Sequence, residues 1–185
     1  MTTRHFLSAV AILVWIASPL RAQSVSLSTN LLEYANLGTL NLEASCGVAR
    51  HWTVSAGARY NPFSFGEGED ELASRQRSLM AGARYWPWHI FSGWWMAGKL
   101  RYQEYNVGGP MLDGAVEGDR YGGGVAGGYT YMIGRHVNLD LGLGFWGGYD
   151  VYTSYRCLHC GKITGSGSKY FILPDDFIIS LSYIF

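Results

Sequence analysis

The stretch Phe177-Ile178-Ile179-Ser180-Leu181-Ser182-Tyr183-Ile184-Phe185 decides the reading of the whole chain. Phe177, Ile179, Leu181, Tyr183 and Phe185 recur at every second position, with Ser180 and Ser182 between them. Side chains of an extended strand alternate between its two faces, so this pattern describes a strand with one apolar and one polar side. The same alternation recurs upstream. Val25, Leu27, Thr29 and Leu31 form a first strand, Leu40 to Val48 a second, and Trp52 to Tyr60 a third. Arg77 to Trp86, Trp94 to Gln103, Arg120 to Met132 and Val137 to Trp146 follow. With the terminal stretch these make eight strands of about 9–11 residues, the length a tilted strand needs to cross a bilayer.

The strand that ends the chain closes on an aromatic residue. Tyr183 and Phe185 there resemble the sorting signal that bacterial outer-membrane barrels present to their assembly machinery. At the other end, Arg4 and His5 precede an apolar run from Phe6 to Ile16, and Ala22 precedes a polar chain. A basic start, a short apolar segment and a small residue describe a secretory signal peptide, expected here as residues 1–22. The run is too short to span a bilayer as a helix. Residues 23–185 are then one domain.

The expected mature part carries twelve basic against fourteen acidic residues, because Arg4 and Arg21 leave with the signal segment. Its net charge of −2 gives no basic excess and no sign of a nucleic-acid partner. Glycine is abundant at 25 and tyrosine at 13, against only 5 prolines, which disfavours disorder and favours strands with aromatic borders.

Connections alternate in length. Ala49-Arg50-His51, Pro87 to Phe91 and Gly134-Arg135-His136 are short turns. Glu33 to Gly38, Asn61 to Arg75, Glu104 to Gly118 and Gly147 to Pro174 read as longer loops. Short turns on one side and long loops on the other belong to outer-membrane barrels. Trp52, Trp86, Trp88, Trp94, Tyr131 and Tyr183 gather near the short turns, and Tyr60, Tyr102, Tyr121 and Tyr149 near the long loops. Two aromatic bands fit two membrane interfaces. The fold class expected is therefore all-β, an eight-stranded antiparallel transmembrane β-barrel of the OmpA/OmpX-like architecture in the outer membrane. The competitor is a soluble lipocalin-like binding barrel, with the apolar face inside.

Several segments also carry a family resemblance. They are Thr29-Asn30-Leu31-Leu32, Asn36-Leu37-Gly38, Asn41-Leu42-Glu43, Tyr60-Asn61-Pro62 and Arg84-Tyr85-Trp86. Tyr105-Asn106-Val107-Gly108-Gly109, Gly127-Gly128-Tyr129, Asn138-Leu139-Asp140 and Cys157-Leu158-His159-Cys160-Gly161-Lys162 continue the series. In this order the chain resembles the uncharacterised Bacteroidetes family called domain of unknown function 3575, small outer-membrane barrels of eight strands. Where that family usually shows Gln-Pro-Glu, this chain has Met80-Ala81-Gly82. The resemblance implies no activity. It implies a partner class, since members resemble genes found near fimbrial assembly loci.

Read as a barrel, the sequence points Glu43, Arg59, Arg84, Lys99, Arg101 and Asp140 inward. An Arg or Lys facing lipid at mid-depth costs about 2–4 kcal/mol, so a shared polar core is the expected arrangement. Four cations against two anions leave a surplus expected to be met by Asn41, Asn138, Gln103 or water. Eight strands leave an interior that side chains fill, which argues against a diffusion pore. Cys157 and Cys160 with His159 could serve as a disulfide, as two zinc ligands or as a redox pair. In an oxidising compartment the disulfide is the expected state. The acidic group Glu67, Glu69, Asp70 and Glu71 suits calcium, a basic partner or simple solvation. An outer-leaflet lipid-modifying enzyme, of the lipid A deacylase or acyltransferase type, would need a serine and histidine in reach. His51, His89 and His136 fall in the short turns, whereas His159 falls in the long loops with Ser64, Ser154, Ser166 and Ser168, which leaves such a pair open. The function expected is a non-enzymatic barrel scaffold without cofactor or metal. It sits in outer-membrane lipid, is inserted by the barrel-assembly machinery and offers its outer loops to an extracellular or fimbrial protein.

Deleting Phe185 should impair outer-membrane assembly far more than Ser182→Thr does. Quantifying both variants in outer-membrane fractions checks this, and normal levels after the deletion would sink the sorting reading.

Overall fold

The structure is a computed structural model and describes residues 25–66, 72–109, 114–156 and 161–185. The expected signal segment, the acidic group at 67–71 and the Cys157, His159 and Cys160 cluster lie outside these residues.

The elements are β1 Val25–Asn30, α1 Leu31–Ala35, β2 Leu40–Ala49, β3 Trp52–Asn61 and β4 Ser64–Phe65. Then come β5 Leu72–Tyr85, β6 Gly93–Gly108, β7 Ala115–Met132, β8 Val137–Tyr155 and β9 Ile163–Ile184. Eight of the nine strands form one antiparallel sheet that closes on itself: β3 pairs with β5, and β9 returns to β1. The two-residue β4 only adds an edge to β5.

The ring is staggered. Following cross-strand partners from Ser182 through Ser28, Glu43, Gly57, Met80, Arg101, Gly122 and Gly148 arrives at Phe171. One circuit thus shifts the register by 11 positions along β9, from 182 to 171. Such a stagger accompanies strands tilted by about 35–45° from the ring axis.

The period-two pattern sorts the side chains between outside and inside. On β6, Leu100 is 70% exposed, while its neighbours Lys99 and Arg101 are 9% and 7%. Phe177, Ile179, Leu181, Tyr183 and Phe185 all lie on the outer face of β9, and Ile178, Ser180 and Ser182 are buried inside. The outer face is apolar and the inner face is polar.

Aromatic residues border the outer band. Trp52 packs on Tyr85 at 5.2 Å between ring centres, and Trp94 on Tyr129 at 5.2 Å, near the short turns. Tyr149 touches Tyr121 and Tyr170 at 5.7 and 5.3 Å near the other end. Trp86, expected in the lower band, is not part of it. It turns inward at 1% exposure, donates from Nε1 to Thr53 at 3.1 Å and packs on Phe91.

Much of what reads as long loop is strand. β6 runs on to Gly108, and β7 resumes at Ala115; β8 continues to Tyr155, and β9 begins at Ile163. Both faces of β9 from Ile163 to Tyr170 meet solvent, so the apolar–polar alternation that marks a half-buried strand fades there. Cross-strand pairs hold these upper ribbons: Arg77 bonds Glu104, and Tyr155 donates to Glu117. The Arg77 guanidinium holds the Glu104 carboxyl below the ordinary carboxylate range, and the Glu117 bond pushes the Tyr155 hydroxyl up.

The Glu33–Gly38 connection also has more structure than expected, because α1 occupies its start. β1 stops pairing with β9 at Asn30, opposite Ser180. Asn30 then takes over the work of a strand. Its Oδ1 accepts from the Ile179 backbone N–H at 3.2 Å and caps α1 by accepting from Leu32 N–H at 3.2 Å. Its Nδ2 donates to the Phe177 carbonyl at 3.3 Å. One side chain satisfies backbone groups on two elements where the ladder ends.

Asn30→Ala should lower unfolding stability by about 1–2 kcal/mol for the cap, with a further loss for the two stranded β9 groups. Equilibrium unfolding of the refolded variant measures it, and an unchanged midpoint would contradict this role.

Candidate functional site

The ring interior holds the chemistry. Glu43 on β2, Arg84 on β5, Lys99 on β6 and Asp140 on β8 come together in the half nearest the short turns. Arg84 reaches Asp140 at 3.4 Å and Glu43 at 3.6 Å, and Lys99 approaches Glu43 at 3.8 Å. Thr130 donates to Asp140 Oδ1, and Ser182 donates to Oδ2 at 3.1 Å. The Arg84 guanidinium lies over Trp95 at 4.2 Å and over Trp86 at 5.4 Å. Two anions and two cations therefore neutralise each other out of water, with hydroxyls and ring faces completing their shells.

This half is full. The cavities around the network measure about 10 and 20 Å³, room for about one water each. Below, Trp86, Phe91 and Trp95 close the floor, and Asn138 donates to the Phe91 carbonyl at 2.6 Å. Glycine makes the floor possible: a Cβ on Gly128 or Gly142 would sit 2.6 or 2.8 Å from the Trp95 ring.

Five of the six expected charges, Glu43, Arg59, Arg84, Lys99 and Asp140, line one small cavity together with Glu33, and Arg101 lies outside that lining. Arg59 pairs with Glu33 of α1 at 2.8 Å, and Arg101 lies over Trp146 at 4.9 Å. Glu33 of α1 adds a third anion beside the expected four cations and two anions. Asn41 bonds the Asn30 backbone, Asn138 the Phe91 carbonyl, and Gln103 donates to Gln76 at 2.8 Å.

Three interior residues escaped the sequence reading. Glu33 sat in a segment read as loop, yet Asn30-Leu31-Leu32-Glu33 has the spacing of a cap followed by an acid in the first helical turn. Asp150 and Arg120 lie at the base of the upper ribbons. Asp150 is fully buried, bonded to Arg120 at 3.2 Å and accepting from Tyr105 at 2.8 Å, with Lys169 at 4.0 Å. Arg120 lies 3.9 Å over the Tyr105 ring. The alternation of Tyr149 and Val151 around Asp150 was the available signal.

Between the two charged layers lies a cavity of about 650 Å³, lined by Arg59, Arg101, Arg120 and Glu33 among others. The described histidines are elsewhere. His51 and His136 bond the carbonyls of Trp86 and Ile184 at the short-turn end, both at 2.9 Å. Ser64 and Ser168, at the opposite end, bond Arg75 and Tyr149. Among the described residues, no cluster of three or more His, Cys, Asp or Glu side chains could hold a metal ion.

A family model described as a protein of unknown function (DUF3575) matches residues 8–185. The chain belongs to that family. A comparison with curated proteins finds no match. The description of the DUF3575 family assigns no activity.

Glu43→Ala should leave Lys99 and Arg84 short of a buried partner and cost about 3–5 kcal/mol of stability. Thermal unfolding in detergent reads it directly. An unchanged transition would show that the network is solvated rather than buried.

Proposed function

We propose that this chain is a plugged eight-stranded β-barrel of the bacterial outer membrane, acting as a scaffold rather than an enzyme. The observation that carries the reading is the inverted polarity of the ring, apolar outside and charged inside. A lipocalin-like barrel in water requires the reverse. Sheet edges are costly in hydrocarbon, and the β1–β9 pairing up to Asn30, with the Asn30 side chain covering Phe177 and Ile179 beyond it, closes the lower ring to suit that medium. On β8 the outward residues from Leu139 to Tyr149 span about 33 Å along the strand, or about 25 Å after a 40° tilt, which matches an outer-membrane apolar band.

In this reading residues 1–22 are a cleaved signal, Tyr183 and Phe185 address the barrel-assembly machinery, and the short turns face the periplasm. The full lower half makes the barrel a closed plug and not a channel. The long ribbons of β6 to β9 then stand outside the cell, and we infer that they present a surface to an extracellular protein, a fimbrial component being the class the family resemblance suggests.

Expression with fractionation tests the proposal. The protein should co-purify with outer membranes and migrate differently on gels before and after boiling. Recovery as a soluble protein, or migration insensitive to heating, would contradict it.

A further inference from the structure

The wall of the ring has a seam. β1 pairs with β9 only as far as Asn30 opposite Ser180, and Asn30 itself covers Phe177 and Ile179. Above that point β9 continues up to Ile163, and β8 is its only strand partner among the described residues. Pro174 stands on this stretch of edge and brings no backbone N–H to it.

The 650 Å³ cavity reaches this seam. Leu32 of α1 and Leu173, Pro174 and Phe177 of β9 belong to its lining, and Phe177 faces the outer apolar band at 67% exposure. The opposite wall is charged. Arg59 is braced by Glu33, Arg120 by Asp150, and Arg101 by the Trp146 face. The cavity therefore runs from the seam beside Leu32, Leu173 and Phe177 to a wall of three braced guanidiniums. Its volume is in the range of small-molecule sites. Guanidiniums with fixed planes favour carboxylate and phosphate oxygens over other heads.

We propose that this seam admits a single-chain anionic amphiphile from the side, with its carboxylate or phosphate head among Arg59, Arg101 and Arg120 and its alkyl chain leaving between Leu32 and Phe177. The inference rests on the membrane reading, because only lipid would present a chain at that height. The ion-paired layer around Arg84 closes the path below. The ligand enters and leaves by the same side.

Native mass spectrometry of the full mature chain in nonionic detergent tests it. The probes are laurate, dodecyl phosphate and dodecyltrimethylammonium at equal concentration. The two anions should occupy the protein at least tenfold more than the cation, and the better of the two identifies the preferred head. Arg101→Gln should lower anion occupancy about tenfold. Leu32→Ser, which leaves the charged wall intact, should lower it severalfold for both anions and keeps the test alive if the first variant misfolds. Equal occupancy by the cation, or anion occupancy unchanged in Leu32→Ser and in any folded Arg101→Gln, would overturn the proposal. A chain that proves soluble without detergent would sink the membrane reading, whereas a heat-modifiable membrane barrel that ignores laurate and dodecyl phosphate would sink this inference alone.

Discussion

Arg84 ties the interior together. Its guanidinium bonds Glu43 from β2 and Asp140 from β8 and lies over Trp95 from β6, so one side chain of β5 spans the ring. Each partner is costly to bury alone and tolerable only in company. A change of strand register by one residue would turn every one of these groups outward and the apolar face inward. The network thus fixes the register of several strands at once. The aromatic floor of Trp86, Phe91 and Trp95 and the facing glycines on β7 and β8 give it a dry place to sit.

The strands that enclose this network were legible because each has two unlike faces. Lys99 and Arg101 alternating with Gly98, Leu100 and Tyr102 state the inner and outer sides of β6 in five residues. Legibility failed where that contrast failed. Above the ring, Tyr152, Thr153 and Ser154 meet water on both sides, and their strand character comes from cross-strand partners in β7 and β9 that no local pattern reports. Trp86 was misplaced because proximity to a turn says nothing about face. The pairing of Arg59 with Glu33 depends on a five-residue helix, shorter than the about eight residues over which the i, i+3, i+4, i+7 apolar pattern shows.

Function follows from where the polarity changes. A ring that is apolar outside and ion-paired inside suits lipid, and its closed lower half rules out free passage along the axis in this account. What stays open is the upper half: the seam beside α1, where Asn30 substitutes for a missing strand, and the ribbons above it. Under the proposed function, the plugged lower ring anchors the chain in lipid and the ribbons contact the partner.

Spin labels on the outward residues test the central claim most directly. With the protein reconstituted in bilayers, labels at Leu100, Val125 and Leu143 should collide readily with dissolved oxygen and rarely with a water-soluble nickel chelate. Ready collision with the chelate at all three positions would place the apolar band in water and contradict the account.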